Sequence, residues 1–89
     1  MQSINLKVTG TVQGVGFRFS TLQLARKFNL TGFVANESDG SVYIEAQGAE
    51  ADLEQFATAI KHSPSPFARI NQVTINQQPN QPFTNFDIR

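Results

Sequence analysis

Apolar residues alternate with polar ones at the start of the chain. Ile4, Leu6, Val8 and Val12 are separated by Asn5, Lys7 and the run Thr9 to Thr11. A period of two places such residues on one face of a half-buried strand. Gly10 interrupts it and marks a bulge or a close approach of another backbone. The period then changes. Thr21, Leu24, Ala25 and Phe28 recur at helical spacing, with Gln23, Arg26 and Lys27 on other faces, which predicts an amphipathic helix ended before Gly32. Phe33 to Ser38 and Ser41 to Gln47 read as strands joined by Asp39-Gly40, a strong hairpin signal. Leu53, Phe56, Ala57 and Ile60 repeat the helical spacing. Glu50, Asp52 and Glu54 lie in or near the first turn, where the helix dipole favours carboxylates. Ser63-Pro64-Ser65-Pro66 stops that helix. Ile70, Val73 and Ile75 predict a fourth strand, irregular near Asn71. Gln77-Gln78-Pro79-Asn80-Gln81-Pro82 reads as a polar turn, and Phe86 and Ile88 as a short last strand.

The order β-α-β-β-α-β plus a final strand defines an α+β, ferredoxin-like split βαβ sandwich. Two helices are expected on one face of an antiparallel sheet, with the other face open. A right-handed crossover makes strands one and two parallel, with strand three between them. The segment after strand one and the end of strand two, near Asn36, then emerge at the same edge of the sheet. Their strands lie about 10 Å apart, two strand spacings.

At 89 residues, of which 39% are hydrophobic and eight are Phe, the chain is expected to be one domain, residues 1–89, around one modest core. No linker, charge block or low-complexity tract divides it. The absence of Cys rules out disulfides and thiolate chemistry, and a single His leaves no Zn site of His and Cys ligands. A formal net charge of zero argues against a nonspecific nucleic-acid partner. The apolar runs are too short to cross a bilayer, and Met1-Gln2-Ser3-Ile4-Asn5 lacks the features of a signal peptide. The expectation is a cytoplasmic monomer with no nucleic-acid or membrane partner. Asn29-Leu30-Thr31 and Asn36-Glu37-Ser38 match a glycosylation pattern, which in a cytosolic protein is accidental.

The candidate chemistry lies between the first strand and the first helix, in Gly10-Thr11-Val12-Gln13-Gly14-Val15-Gly16-Phe17-Arg18. Glycines at 14 and 16 allow a tight turn and leave its amides uncovered. Such a turn aims N–H groups and a helix N-terminus at one point, which suits a phosphate. Arg18 adds a permanently charged guanidinium able to grip two phosphate oxygens. The pattern is neither a Walker loop nor the dinucleotide fingerprint, lacking Gly-Lys-Ser/Thr in the one case and a third Gly in the other. Taken alone, two glycines make an ordinary turn, Arg18 a solvated helix-start residue and Asn36 a hairpin residue.

This loop resembles the signature of the acylphosphatase family, small enzymes that hydrolyse acyl phosphates to a carboxylate and inorganic phosphate. The resemblance extends through Ala25, Leu30-Thr31-Gly32-Phe33-Val34, Asn36, Asp39-Gly40, Phe56, Pro66-Phe67-Ala68-Arg69-Ile70 and Phe86-Asp87-Ile88-Arg89. It implies Arg18 and Asn36 as catalytic residues, and a phosphate held by the backbone of Gln13, Gly14, Val15, Gly16, Phe17 and Arg18. Arg18 and the amides would hold the phosphoryl oxygens while Asn36 positions water for direct attack on phosphorus. No metal or cofactor is implied, and inorganic phosphate is expected as product and inhibitor. Thr21 is similar to the family's Thr one turn after the arginine, and either orders the site or packs on the helix. Phe17 is expected to anchor the core. Two positions depart from the family: Phe33 stands where Trp is frequent, and Ala35 where a basic residue precedes the Asn.

Two noncatalytic readings compete. An RNA-recognition domain has the same element order but needs stacking aromatics on its central strands. Strand one has none, and strand three only Tyr43. A ferredoxin-like small-ligand or carbamoyl-phosphate-binding module is the other. Similar domains begin larger carbamoyl-transfer proteins, whereas this chain stops at its own last strand, which favours a free-standing enzyme.

Overall fold

The computed structural model describes residues 1–89. The alternating N-terminal segment forms β1 (Gln2–Thr11), followed by α1 (Phe17–Lys27), β2 (Thr31–Asn36), β3 (Val42–Gly48), α2 (Glu50–Lys61), β4 (Arg69–Gln78) and β5 (Phe86–Ile88). The strands make one five-stranded sheet in the order β4-β1-β3-β2-β5. β3 therefore separates β1 from β2, as the split βαβ reading requires. Ile4, Leu6 and Val8 of β1 share the buried face with Val34 of β2 and Val42, Ile44 and Ala46 of β3. Leu53, Phe56 and Ile60 of α2 and Phe17 and Ala25 of α1 close over them. Each helix thus buries the stripe that its spacing predicted.

Gly10 and the irregularity near Asn71 are one feature. The pairing of β1 with β4 shifts between Thr9↔Gln72 and Gly10↔Ile70, leaving Asn71 unpaired. A side chain at Gly10 would run into the Arg69 carbonyl. α1 ends on Asn29, at φ 56°, a left-handed turn that Asn tolerates. Gly32 lies within β2.

Three expectations change. The sheet is mixed, because β5 runs parallel to β2 from Gly32↔Phe86 to Val34↔Ile88. β4 and β5 occupy opposite edges, so the intervening chain must cross the sheet before β5 can start beside Gly32. Gln77 and Gln78 belong to β4, paired with Ile4 and Ser3, because β1 extends far enough to give them partners. The helix-free face is also covered in part. The crossing segment lies on it, where Gln47 Nε2 donates to the Gln81 carbonyl (2.9 Å) and Gln81 N–H donates to Gln47 Oε1 (2.8 Å). Phe83 meets Phe33 edge-on with centroids 6.1 Å apart. Gln47 is buried, and these bonds meet its polar requirement.

Candidate active site

The crossover brings the C-terminal ends of β1, β2 and β5 to one edge of the sheet, since all three run in the same direction. Between them is a cleft of about 190 Å³ whose polar lining is Gly14, Gly16, Arg18 and Asn36. Five of the expected site residues, Gly14, Gly16, Phe17 and Arg18 from one loop and Asn36 from the end of β2, therefore share one concavity.

Gly14 and Gly16 adopt φ of 75° and 77°. A side chain at either would meet nothing within 4 Å, so backbone conformation, not space, selects glycine there. Gly16 is also the N-cap of α1, and no side chain caps the helix. The first-turn amides of a helix have no intrahelical carbonyl to bond. Here no Ser, Thr or Asp answers them, and the first turn holds no acidic residue. These donors, the positive end of the helix dipole and the Arg18 guanidinium share one sign of charge, the electrostatics that suit an anion. Arg18 is half-buried, and its Nη1 donates to the Arg89 carbonyl (3.3 Å). That bond ties the arginine to the residue after β5, and Arg18 lines the cleft. Asn36, the exposed last residue of β2, faces the same cleft.

The loop is held from two sides. Gln13 Nε2 donates to the carbonyls of Glu37 (2.8 Å) and Ser41 (2.9 Å). This couples the glycine loop to the hairpin next to Asn36. On the other side the Ser65 hydroxyl donates to the Val15 carbonyl (2.6 Å). Val15 packs against the core, in which Phe17 is buried. The hairpin turn has its own brace. Asp39 accepts from the Ser41 backbone N–H (3.0 Å) and hydroxyl and pairs with Lys7 (2.9 Å). The Ser41 hydroxyl, then Lys7, hold the Asp39 carboxyl far below the usual carboxylate range.

Thr21 is wholly buried one turn beyond Arg18, and its hydroxyl has no hydrogen-bond partner. It does not line the cleft. Phe33, at a departure from the family pattern, lies under the Arg89 guanidinium, 4.0 Å from its centroid, and beside Tyr43. Sequence reasoning missed Phe19 and Ile88 as cleft residues, and Ser65 as a brace. Ser65 reads in sequence only as part of a helix stop. No three of the His, Asp and Glu side chains come together as a metal-binding group.

The acylphosphatase family model matches residues 4–88, and the chain belongs to that family. An acylphosphatase of Lactobacillus johnsonii is 46% identical over 89 residues, covering 99% of this chain and 98% of that protein. The crystal structure of acylphosphatase from Bacillus subtilis superposes with a TM-score of 0.96 at 36% identity, covering 100% of this chain and 99% of that one. Full-length HypF, solved in a phosphate- and nucleotide-bound form, matches with a TM-score of 0.93 at 35% identity, covering 99% of this chain but 12% of HypF. The protein is an acylphosphatase, a hydrolase acting on acyl phosphates.

Proposed function

We propose that the cleft beside Arg18 hydrolyses acyl phosphates by direct attack of water on phosphorus. The observation that carries this reading is the convergence of the uncapped α1 N-terminus, Arg18 and Asn36 on one cleft. Phosphoryl transfer asks for positioning and charge stabilisation more than for covalent chemistry. The amides from Gly14 to Arg18 and the guanidinium bind the phosphoryl oxygens and stabilise their charge in the transition state. The Asn36 carboxamide orients the attacking water. As the new P–O bond forms, the bond to the acyl oxygen breaks, and the carboxylate leaves without needing a strong general acid. The proton of the attacking water passes to the phosphoryl group.

The amide-and-guanidinium site supports inorganic phosphate as product and inhibitor. The same reading makes residues 1–89 one catalytic unit, acting as a cytoplasmic monomer without metal or cofactor. No helix is long and apolar enough to cross a membrane. Release of phosphate from benzoyl phosphate, with and without excess chelator, tests the proposal. Turnover unchanged by chelator is expected. Turnover lost to chelator and restored by Mg²⁺ or Zn²⁺ overturns the metal-free mechanism, and no release at all overturns the site.

A further inference from the structure

The cleft has a second half that the phosphoryl group does not use. Its remaining lining is Val12, Phe17, Phe19 and Ile88. Val12 and Phe17 are each 1% exposed and belong to the core. Phe19 and Ile88 are 57% and 41% exposed, and they come from different elements, α1 and β5. A single apolar side chain in water needs no explanation. Here two large ones, one from α1 and one from β5, line the same cleft as Arg18 and Asn36. Apolar walls around a few convergent polar groups are the usual make-up of a small-ligand pocket.

We propose that Phe19 and Ile88 seat the acyl group of the substrate, and that this group is apolar. The inference rests on the phosphoryl reading of the cleft given above. The occupant follows from covalent geometry: the acyl group is bonded to the phosphoryl group, so anchoring one end brings the other against the apolar lining. The chemistry follows from the lining. Arg18 is its only charged side chain, already assigned to the phosphoryl oxygens, and no Asp or Glu is among its lining residues. An acyl group bearing an ammonium finds no partner there, and one bearing a carboxylate competes for Arg18. A hydrocarbon chain or ring covers Phe19 and Ile88 and removes both from water.

Acetyl and hexanoyl phosphate make the test, because their leaving carboxylates are of similar basicity and differ in apolar length. The ratio of their kcat/KM values reads the contact with the apolar lining. In the unaltered protein hexanoyl phosphate is preferred by about tenfold or more, within the range that added methylenes give in an apolar pocket. Phe19→Ala and Ile88→Ala each lower the ratio by about threefold or more, and Phe19→Leu retains most of it. Circular dichroism and melting confirm that each variant is folded, and the half-exposed positions make that the expected result. A ratio near one in the unaltered protein, or a ratio unchanged in both alanine variants, overturns the proposal. Failure to hydrolyse either substrate instead overturns the phosphoryl reading, so the two failures are distinct.

Discussion

Arg18 and Asn36 line the same cleft but differ in charge, and that difference separates their roles. On the proposed mechanism the guanidinium binds an anion whether or not reaction follows, so Arg18→Gln is expected to weaken inhibition by phosphate. It should also lower turnover by about 10²-fold, the scale of one lost oxyanion donor. Asn36 is neutral, and its proposed role is to orient the attacking water. Asn36→Ala is therefore expected to reduce kcat by on the order of 10²-fold while leaving the inhibition constant for phosphate within a few-fold, as interactions confined to the transition state behave. Steady-state kinetics with phosphate as competitive inhibitor checks both, and equal loss of phosphate binding in the two variants makes Asn36 a phosphate ligand instead. Tyr43 gives a separate test on the helix-free face. Burial, then its hydrogen bond to Glu45 Oε2, pushes its pKa up from 10.0 to about 12. The folded state favours the protonated phenol, so this contribution to stability is present below pH 10 and is lost as pH rises through about 12. It is the only Tyr in a chain without Trp, so the ultraviolet absorbance of phenolate reports it directly. A midpoint near that of a free phenol would show that neither the burial of Tyr43 nor its Glu45 contact holds in solution.

At the scale of elements, function depends on how the α1 N-terminus is set against the β2–β3 hairpin. One carries the proposed anion site and the other adjoins Asn36. Gln13 joins them through two bonds to hairpin carbonyls, while its own side chain stays out of the cleft lining. Gln13→Leu removes both donors. Small misplacements of reacting groups lower rates steeply, so kcat is expected to fall about tenfold. The phosphate inhibition constant should stay within a few-fold, since the loop amides and Arg18 remain. Equal weakening of both, or no loss of kcat in a folded variant, removes Gln13 from the positioning role. Much of this arrangement was legible before folding. The change from alternating to helical spacing at Gly14 to Phe17 located the loop, and Asp39-Gly40 located the hairpin. The bonds between them were not legible, because Gln13 and Ser41 are 28 residues apart. Nothing local to a Gln discloses which distant carbonyl it will meet.

At the scale of the molecule, ligand binding and stability are linked. A ligand that binds only the folded state stabilises it, by about 2.7 kcal/mol at a concentration roughly 100 times its Kd. For a domain of this size that raises Tm by roughly 10–20 °C. Saturating inorganic phosphate should produce such a rise in the unaltered protein and a much smaller one in Arg18→Gln. Thermal scans over a phosphate series check it, and equal shifts in the two proteins would place the ion elsewhere. The route of the chain sets what sequence can disclose at this scale. Local patterns identified both helices, all five strands and the faces they bury, because those patterns recur every two or 3.6 residues. The resemblance marked Arg18 and Asn36, whose roles depend on their own functional groups. The direction of β5 followed instead from the sheet's edges: β4 had taken the edge beside β1, so the last strand had to cross and join β2 in parallel. That crossing covered Gln47 and brought Ile88 to the cleft. Neither is visible in a short, weakly patterned segment such as Phe86-Asp87-Ile88-Arg89, because its partners lie more than 50 residues earlier in the chain. Local patterns determine which face a residue presents, whereas the pairing of distant segments determines what that face meets.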